Sequence, residues 1–222
     1  MVEKQGYRLS KWVPDAKSAA AGLEEIVIDA SGEVASGNGQ TIPAISYENQ
    51  EEMDDHYITF TPVWTPRTDM QYEVRHFRQG LDGLYNDYPD SEEIYYDGET
   101  EKYMYLADLT LMSCADNTEW CGFTAEYVEF QLQPDEDDNV IDVHYARNKH
   151  NVAWDANGGS GLDGITDPYT KGSTMYGAEI VYPDGTLLTA PKGKVFYDWQ
   201  SDCADFVGTM PDQDITFKAV WG

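Results

Sequence analysis

Near the end of the chain, Ile215, Phe217, Ala219 and Trp221 alternate with Thr216, Lys218 and Val220. Successive side chains of an extended strand point to opposite faces, so this spacing predicts a strand with one strongly apolar face. The pattern has a twin. Residues 53–64 (MDDHYITFTPVW) align with residues 210–221 (MPDQDITFKAVW), and seven of the twelve positions are identical. A second echo lies upstream in each copy: Gly6, Leu9 and Trp12 share with Gly193, Phe196 and Trp199 the order Gly, two residues, apolar, two residues, Trp. Two matches in the same order define an internal repeat. The copies differ in length, because 40 residues separate Trp12 from Met53 and only 10 separate Trp199 from Met210.

Between these landmarks the pattern predicts short strands and frequent turns. Residues 17–25 make the best helix candidate, short and interrupted by Gly22, with a strand over 25–29 and a Gly/Ser/Asn-rich loop over 31–40. Residues 71–77 read as a strand, Asp82-Gly83 as a hairpin turn, 85–96 as an acidic strand region and Asp97-Gly98 as another turn. Residues 123–132 and 139–145 read as two antiparallel strands joined by the acidic turn 133–138. Residues 150–155 form a further strand, and 156–161 turn out of it. The fold class expected is mainly β with minor α, arranged as tandem small modules over 1–67, 68–147 and 148–222. The first carries the 30-residue insertion. Short joints fall at 65–69 and 146–149.

Composition supports packed cores: 41% of residues are hydrophobic and 13% aromatic, with sixteen tyrosines that suit strands. Charge changes the picture more. The formal net charge is −27, of which −16 falls in residues 68–147. Such a surface repels phosphate backbones, which argues against nucleic acid and anionic membranes as partners. No stretch approaches the roughly 20 apolar residues of a membrane span. Residues 1–6 lack the apolar run of a signal peptide. Since Gly6 already sits inside a repeat motif, the chain reads as a piece of a longer protein that starts within a repeat.

The residues that carry the repeat resemble a known family. Val152-Ala-Trp-Asp-Ala-Asn-Gly-Gly, Tyr176-Gly177, the Gly193, Phe196 and Trp199 motif and the 210–221 strand are similar to the Listeria–Bacteroides repeat, also met as internalin-type B repeats. The match covers 149–222 and the second half of residues 6–64, with Trp154 where the family usually has Phe. Residues 70–147 resemble, at fewer positions (Tyr72, Val74, His76, Asp82-Gly83, Tyr85, Val140 and Tyr145), the mucin-binding-protein-like repeats. The resemblance implies β-grasp-like modules strung in tandem on an extracellular bacterial cell-surface or cell-wall protein. It implies no catalytic residues and no cofactor. The expected role is a non-catalytic spacer or stalk, monomeric, whose partners are neighbouring modules. An adhesive module binding a host glycan or protein is the alternative.

Candidate chemistry in the chain is thin. Asn157-Gly-Gly-Ser-Gly161 lacks the Lys of a phosphate loop and is followed by Leu162-Asp163, so it reads as a hairpin turn. Asp135, Asp137 and Asn139 have calcium-loop spacing, but Val140 replaces the required Gly and Ala146 the final Glu. His56, His76, His144 and His150 read as surface or half-buried strand positions. Cys114, Cys121 and Cys203 make no zinc motif, and whether Cys114 pairs with Cys121 is left open. No nucleophile–base motif is legible, so catalytic, cofactor and metal residues are all none. Trp12, Trp64, Trp199 and Trp221 recur at equivalent positions and read as core, with an exposed stacking face as the alternative. Tyr95, Tyr96, Tyr103 and Tyr105 would favour adhesion if they shared one face.

Overall fold

In the computed structural model, which describes residues 3–162 and 174–222, the chain is mainly β, with short helices. It forms two compact units. One comprises the described residues of Met1–Glu73 with Glu93–Met104 and Glu129–Ile141. The other comprises Val74–Glu92, Tyr105–Val128 and the described residues of Asp142–Gly222.

The first sheet contains β1 (Tyr7–Pro14), β2 (Ile26–Ile28), β3 (Val34–Ser36) and β4 (Phe60–Pro66), all antiparallel in the order β3-β2-β1-β4. Helix α1 (Ala16–Ala20) starts where the Asp15 carboxylate accepts from the Lys17 and Ser18 amides, satisfying N–H groups that a helix start leaves open. Asn49 does the same for α2 (Gln50–Asp55) by accepting from the Glu52 amide. The inserted 30 residues thus add the β2–β3 hairpin beside β1 and both helices.

The middle of the chain supplies β5 (Met70–Arg78), β6 (Ser91–Gly98), β7 (Tyr103–Tyr105), β8 (Phe123–Ala125), β9 (Glu129–Gln131) and β10 (Val140–Arg147). Four of these form a sheet in the order β6-β5-β10-β8, and β7 pairs with β9. Glu73 N–H donates to Asn139 O and Gln79 N–H to Tyr145 O, the same offset at both ends, so β5 and β10 run parallel. The strands alternate: Met70, Tyr72, Val74 and His76 are buried from β5, where Phe77 is buried as well, and Ile141, Val143 and Tyr145 from β10. Asn139, also buried, plugs the end by accepting from Gln133 N–H and donating to Gln71 O and Gln133 O.

The last segment contributes β11 (Lys149–His150), β12 (Val152–Asp155), β13 (Thr174–Met175), β14 (Phe196–Ser201) and β15 (Ile215–Trp221). β15 lies between a parallel β12 and an antiparallel β14. Val152, Ile180, Met210, Ile215 and Phe217 are its buried core, with Trp154, Trp199, Cys203 and Phe206 packed around them.

The repeat is written into the register. In β1–β4, Leu9 faces Trp64, Lys11 faces Val63, Trp12 faces Pro62, Val13 faces Thr61 and Pro14 faces Phe60. In β14–β15 the aligned residues face each other in the same way: Phe196 and Trp221, Asp198 and Val220, Trp199 and Ala219, Gln200 and Lys218, Ser201 and Phe217. Both N-terminal strands bulge at the same step, Leu9/Lys11 and Phe196/Asp198. One extra residue there keeps Leu9 and Trp12, three apart, on one face. Each hairpin also closes alike. Asp15 N–H donates to Thr59 O and Thr59 N–H to the Asp15 carboxylate, as Asp202 and Thr216 do.

Several expectations need correction. The helix over 17–25 shrinks to Ala16–Ala20, since Gly22, at φ +107°, ends it. Within the region 85–96 only the stretch from Ser91 is regular strand, and Asp97-Gly98 ends β6 instead of turning, the turn following where Lys102 N–H meets Glu99 O. Residues 123–132 split: β8 pairs with β10, but β9 turns to β7, so the stretch does not form one hairpin with 139–145. The twin of residues 210–221 holds only from Ile58 onward. Met53 sits in α2 at 46% exposure whereas Met210 is 1% exposed, because Asn49 caps a helix there. The alignment of residues 53–64 with 210–221 leads one to expect Phe60 and Phe217 buried at matching depths, but Phe60 is half-buried and Phe217 fully buried.

Candidate functional site

A cleft lies in the first unit, beside the start of β1. Gly6 takes φ +75° and passes so close to Pro134 that a Cβ would come within 2.6 Å of its Cα. The Thr100 hydroxyl donates to Gly6 O, and Arg67 N–H donates to the same carbonyl. Only glycine fits this crossing. It fixes residues 3–9 against the acidic turn 134–137 and leaves a cleft of about 1010 Å³ between them.

Tyr7, Leu9, Ile28 and Trp64 give the cleft an apolar wall, since cross-strand Leu9 and Trp64 share one face. Its charged lining comprises Glu3, Asp29, Asp135, Glu136 and Asp137 against Lys4, Arg8 and Arg67. The arginines are engaged: Arg8 pairs with Asp69, and Arg67 bridges Asp69 at 3.0 Å and Glu136 at 3.1 Å. Hydrogen bonding from Arg67, and the charges of both arginines, hold the Asp69 carboxyl below its usual range against a smaller desolvation cost. Lys4 lies 3.6 Å over the Tyr7 ring. The Tyr7 hydroxyl is raised above its ordinary pKa by its hydrogen bond to Glu101, then by burial and the Glu101 charge. Asp29 is lowered mainly by the Ser31 hydroxyl and by backbone donors of its own turn. The lining therefore presents an aromatic and aliphatic wall with an acidic rim. That arrangement suits holding an extended apolar group with a neutral or basic neighbour, and the hydroxyl of Ser31, which lines the cleft, is committed to Asp29.

The residues weighed from sequence fall elsewhere. Gly159 lies under Trp221, whose Nε1 donates to Ala156 O and Asn157 O at 3.0 Å, so the glycine turn exists to seat an indole. The acidic run 135–139 is a short 3-10 turn (Glu136–Asp138) that Asp135 caps, and Asn139 is spent on backbone partners. Among the described residues, no three His, Cys, Asp or Glu side chains converge as a metal ion requires, and no helix is long and apolar enough to cross a membrane. Tyr95 stacks on Tyr72 at 5.2 Å while its neighbour Tyr96 points outward, and Tyr103 and Tyr105 share the exposed face of β7. The four tyrosines do not form one face.

Trp199 donates from Nε1 to Pro183 O at 3.1 Å, packs edge-on to Trp154 and borders the last core. Trp12 and Trp64 are half-buried in the first copy. Trp120, outside the repeat, is the most buried, against Tyr145 at 4.8 Å and under the Arg78 guanidinium at 5.0 Å. Cys114 and Cys121 are disulfide-bonded around it, and Cys203 is free.

His144 and His150 are half-buried strand residues as expected, whereas His76 and His56 depart from that reading. His76 is fully buried, its Nδ1 3.0 Å from the Tyr145 hydroxyl, which also accepts from Met112 N–H. His144 stacks on Phe77 and meets Tyr85 edge-on at 4.5 Å. The Tyr85 hydroxyl is pushed up to about 12 by burial and then by Glu126. His150 reaches Asp212 at 2.8 Å. His56 caps the end of α2 instead of lying on a strand, with Nε2 3.1 Å from Asp15 and Nδ1 3.0 Å from the Tyr47 hydroxyl.

That last cluster escaped the sequence reading. Asp15 gathers Lys17 N–H, both donors of Ser18, Thr59 N–H and His56, and these donors, the Thr59 amide above all, hold its carboxyl far below the usual range. The recurring Asp15/Asp202 and Thr59/Thr216 pairs were available as a signal, since both stand at aligned positions. The cleft left none, because it depends on which segments fail to cover Trp64. No protein-family model, curated protein or solved structure matches the chain.

Proposed function

We propose that the chain is a non-catalytic repeat region of a bacterial cell-surface protein, working as a semi-rigid spacer of tandem small β modules. The observation that supports it is how the two short joints are held. At 65–69, Arg67 N–H donates to Gly6 O, Thr100 N–H to Arg67 O, and Arg67 and Arg8 both grip Asp69. At 146–149, Arg147 donates to Gln79 O at 2.7 Å and to Tyr176 O at 2.9 Å, Asn148 N–H donates to Gly122 O, and Asn148 Nδ2 to Asp212 at 2.8 Å. Linkers meant to swing leave their backbone solvated; these are tied to flanking segments through Arg67, Arg147 and Asn148. The β-grasp-like reading of the middle module rests on its mixed sheet, order β6-β5-β10-β8 with a parallel central pair. The bacterial-surface setting rests on the repeat resemblance.

Solution scattering tests the spacer. A 222-residue chain packed as one sphere would have a radius of gyration of about 17 Å; the spacer should exceed it, and should lengthen its flexibility signature when Arg147 and Asn148 are replaced by Ala. A radius at the compact value, or turnover on glycan, peptide or ester substrates, would end the reading. The aromatic wall of the cleft favours a second reading, an adhesive module. Saturable binding of a host glycan that Trp64→Ala abolishes would install it.

A further inference from the structure

Two asparagines stand directly before glycine, Asn38 and Asn157. Such a step is open to one uncatalysed reaction, because glycine has no Cβ to keep its amide nitrogen from reaching the asparagine side chain. Local sequence gives both steps the same chemistry. The fold gives them different freedom.

Asn157 is held wherever the reaction must move it. Its Nδ2 donates to Ala219 O at 2.9 Å, its N–H donates to the Asp155 carboxylate at 2.8 Å, and its carbonyl accepts from Trp221 Nε1 at 3.0 Å. Bringing its Cγ onto the Gly158 nitrogen breaks the bond to Ala219 and disturbs the seat of the indole. Asn38 and Gly39, by contrast, are both exposed. Among the described residues neither the Asn38 side chain nor the Gly39 N–H has a hydrogen-bond partner. A Cβ built on Gly39 would meet nothing within 4 Å.

What lies on either side of Asn38 is fixed. Gly37, at φ +81°, passes so close to Glu25 O that only glycine fits. Gln40 clasps Glu24 with both ends of its amide: Oε1 accepts from Glu24 N–H at 2.7 Å, and Nε2 donates to Glu24 O at 3.0 Å and to Gly37 O at 2.7 Å. Asn38 and Gly39 therefore bridge two anchors, both set on residues 24 and 25. The bridge follows β3, which pairs with β2 through Val27↔Ser36 and Ile28↔Val34.

We propose that Asn38 is a site of spontaneous covalent modification, deamidation through a cyclic imide, and that its isoaspartyl product releases the Gln40 clasp. The Gly39 nitrogen gives its proton to solvent base and bonds to Asn38 Cγ. The Cγ–Nδ2 bond breaks, and ammonia leaves with the proton returned. Water then opens the imide. Addition at Cγ breaks the new bond and leaves aspartate; addition at the Asn38 main-chain carbonyl breaks the original peptide bond and leaves isoaspartate. In sum a water is consumed and an ammonia released. Isoaspartate carries the main chain through its Cβ, so the bridge between two fixed anchors gains a backbone atom and Gln40 is pushed off Glu24. Either product adds a carboxylate to a chain already at net charge −27. The inference stands apart from the spacer reading, since neither requires the other.

The full chain should be aged at mildly alkaline pH and followed by peptide-mapping mass spectrometry, ammonia release and isoaspartate detection with a carboxyl methyltransferase. Asn38 should convert at least about tenfold faster than Asn157, which must open its hydrogen bonds first. In denaturant the two should convert at similar rates, which separates protection by the fold from local sequence. Asn38→Ser should remove the early ammonia release, and because that side chain bonds to nothing the variant should fold as the parent does. In the aged protein the Glu24 amide and those of residues 34–36 should exchange several-fold faster, with β1 and β4 unchanged. Equal rates at Asn38 and Asn157 in the folded chain would overturn the assignment of the site. Unaltered exchange at Glu24 in a sample mostly converted to isoaspartate would overturn the release of the clasp.

Discussion

Replacing Phe217 and Phe60 by Ala separates what the repeat shares from what it does not. Phe217 is 1% exposed and touches Trp154, Tyr182 and Phe206 with ring centroids 4.8, 5.1 and 5.3 Å away. Truncating such a side chain removes the transfer free energy of the ring and leaves a cavity among aromatics that cannot collapse onto it, about 3–5 kcal/mol. Phe60 occupies the same register position but is half-buried, and among the described residues no strand pairs with the outer edge of β4, so its loss should cost less than about 2 kcal/mol. A chain of several cooperative parts has no single unfolding free energy, so the assay is amide hydrogen exchange resolved by peptide. In Phe217→Ala the amides of β15 should exchange faster by about 10² to 10³-fold or more, at a factor of ten per 1.4 kcal/mol. In Phe60→Ala the amides of β4 should accelerate by less than about 30-fold, and those of β15 should not change. Equal acceleration in the two variants would show that Phe60 is covered as Phe217 is, and the contrast between the copies would fall.

Two further outcomes are expected. The Asp15 carboxyl is held below its ordinary pKa, chiefly by the Thr59 amide. Its contribution is therefore complete above the unfolded-state value of about 3.9 and lost as pH falls toward the folded-state value; Asp15→Asn should remove this acid-dependent step from exchange protection around α1, followed from pH 5 down to pH 2. The Cys114–Cys121 bond, seven residues apart in sequence, closes a small ring that constrains the unfolded chain by about 2.5 kcal/mol in the loop-entropy model. Replacing both by Ser should lower stability by about that amount and red-shift the emission of the buried Trp120, and an unchanged spectrum would mean the ring does not hold that indole.

Periodicity made β14 and β15 legible, because their apolar positions report a face and the repeat reports it twice. It could not reveal what lies on that face. Phe60 and Phe217 share the local sequence Ile-Thr-Phe, and what packs onto Phe217, Trp154 of β12 together with Tyr182 and Phe206, decides its burial. Short polar devices were also hidden: Asn49 starts α2 with one hydrogen bond, too small a signal against the Met53–Met210 alignment. The division of residues 123–132 between two sheets turns on Val128 being buried, with Glu126 N–H tied to His144 O; the local pattern looks like one strand. Pairing of Cys114 with Cys121 depends on the turn that seats Trp120, which spacing alone does not specify.

The clasp formed by Asp15 with Thr59 and by Asp202 with Thr216 insulates each hairpin from whatever is carried at its tip. It spans 43 intervening residues in one copy and 13 in the other, with the strands in identical register. Closing the longer span costs only about 1 kcal/mol more by the logarithmic law for loops, less than one good core contact. Evolution has already used that tolerance once, and a protein engineer could use it again: foreign sequence spliced between Asp202 and Thr216 should be displayed without disturbing the strands that bear it.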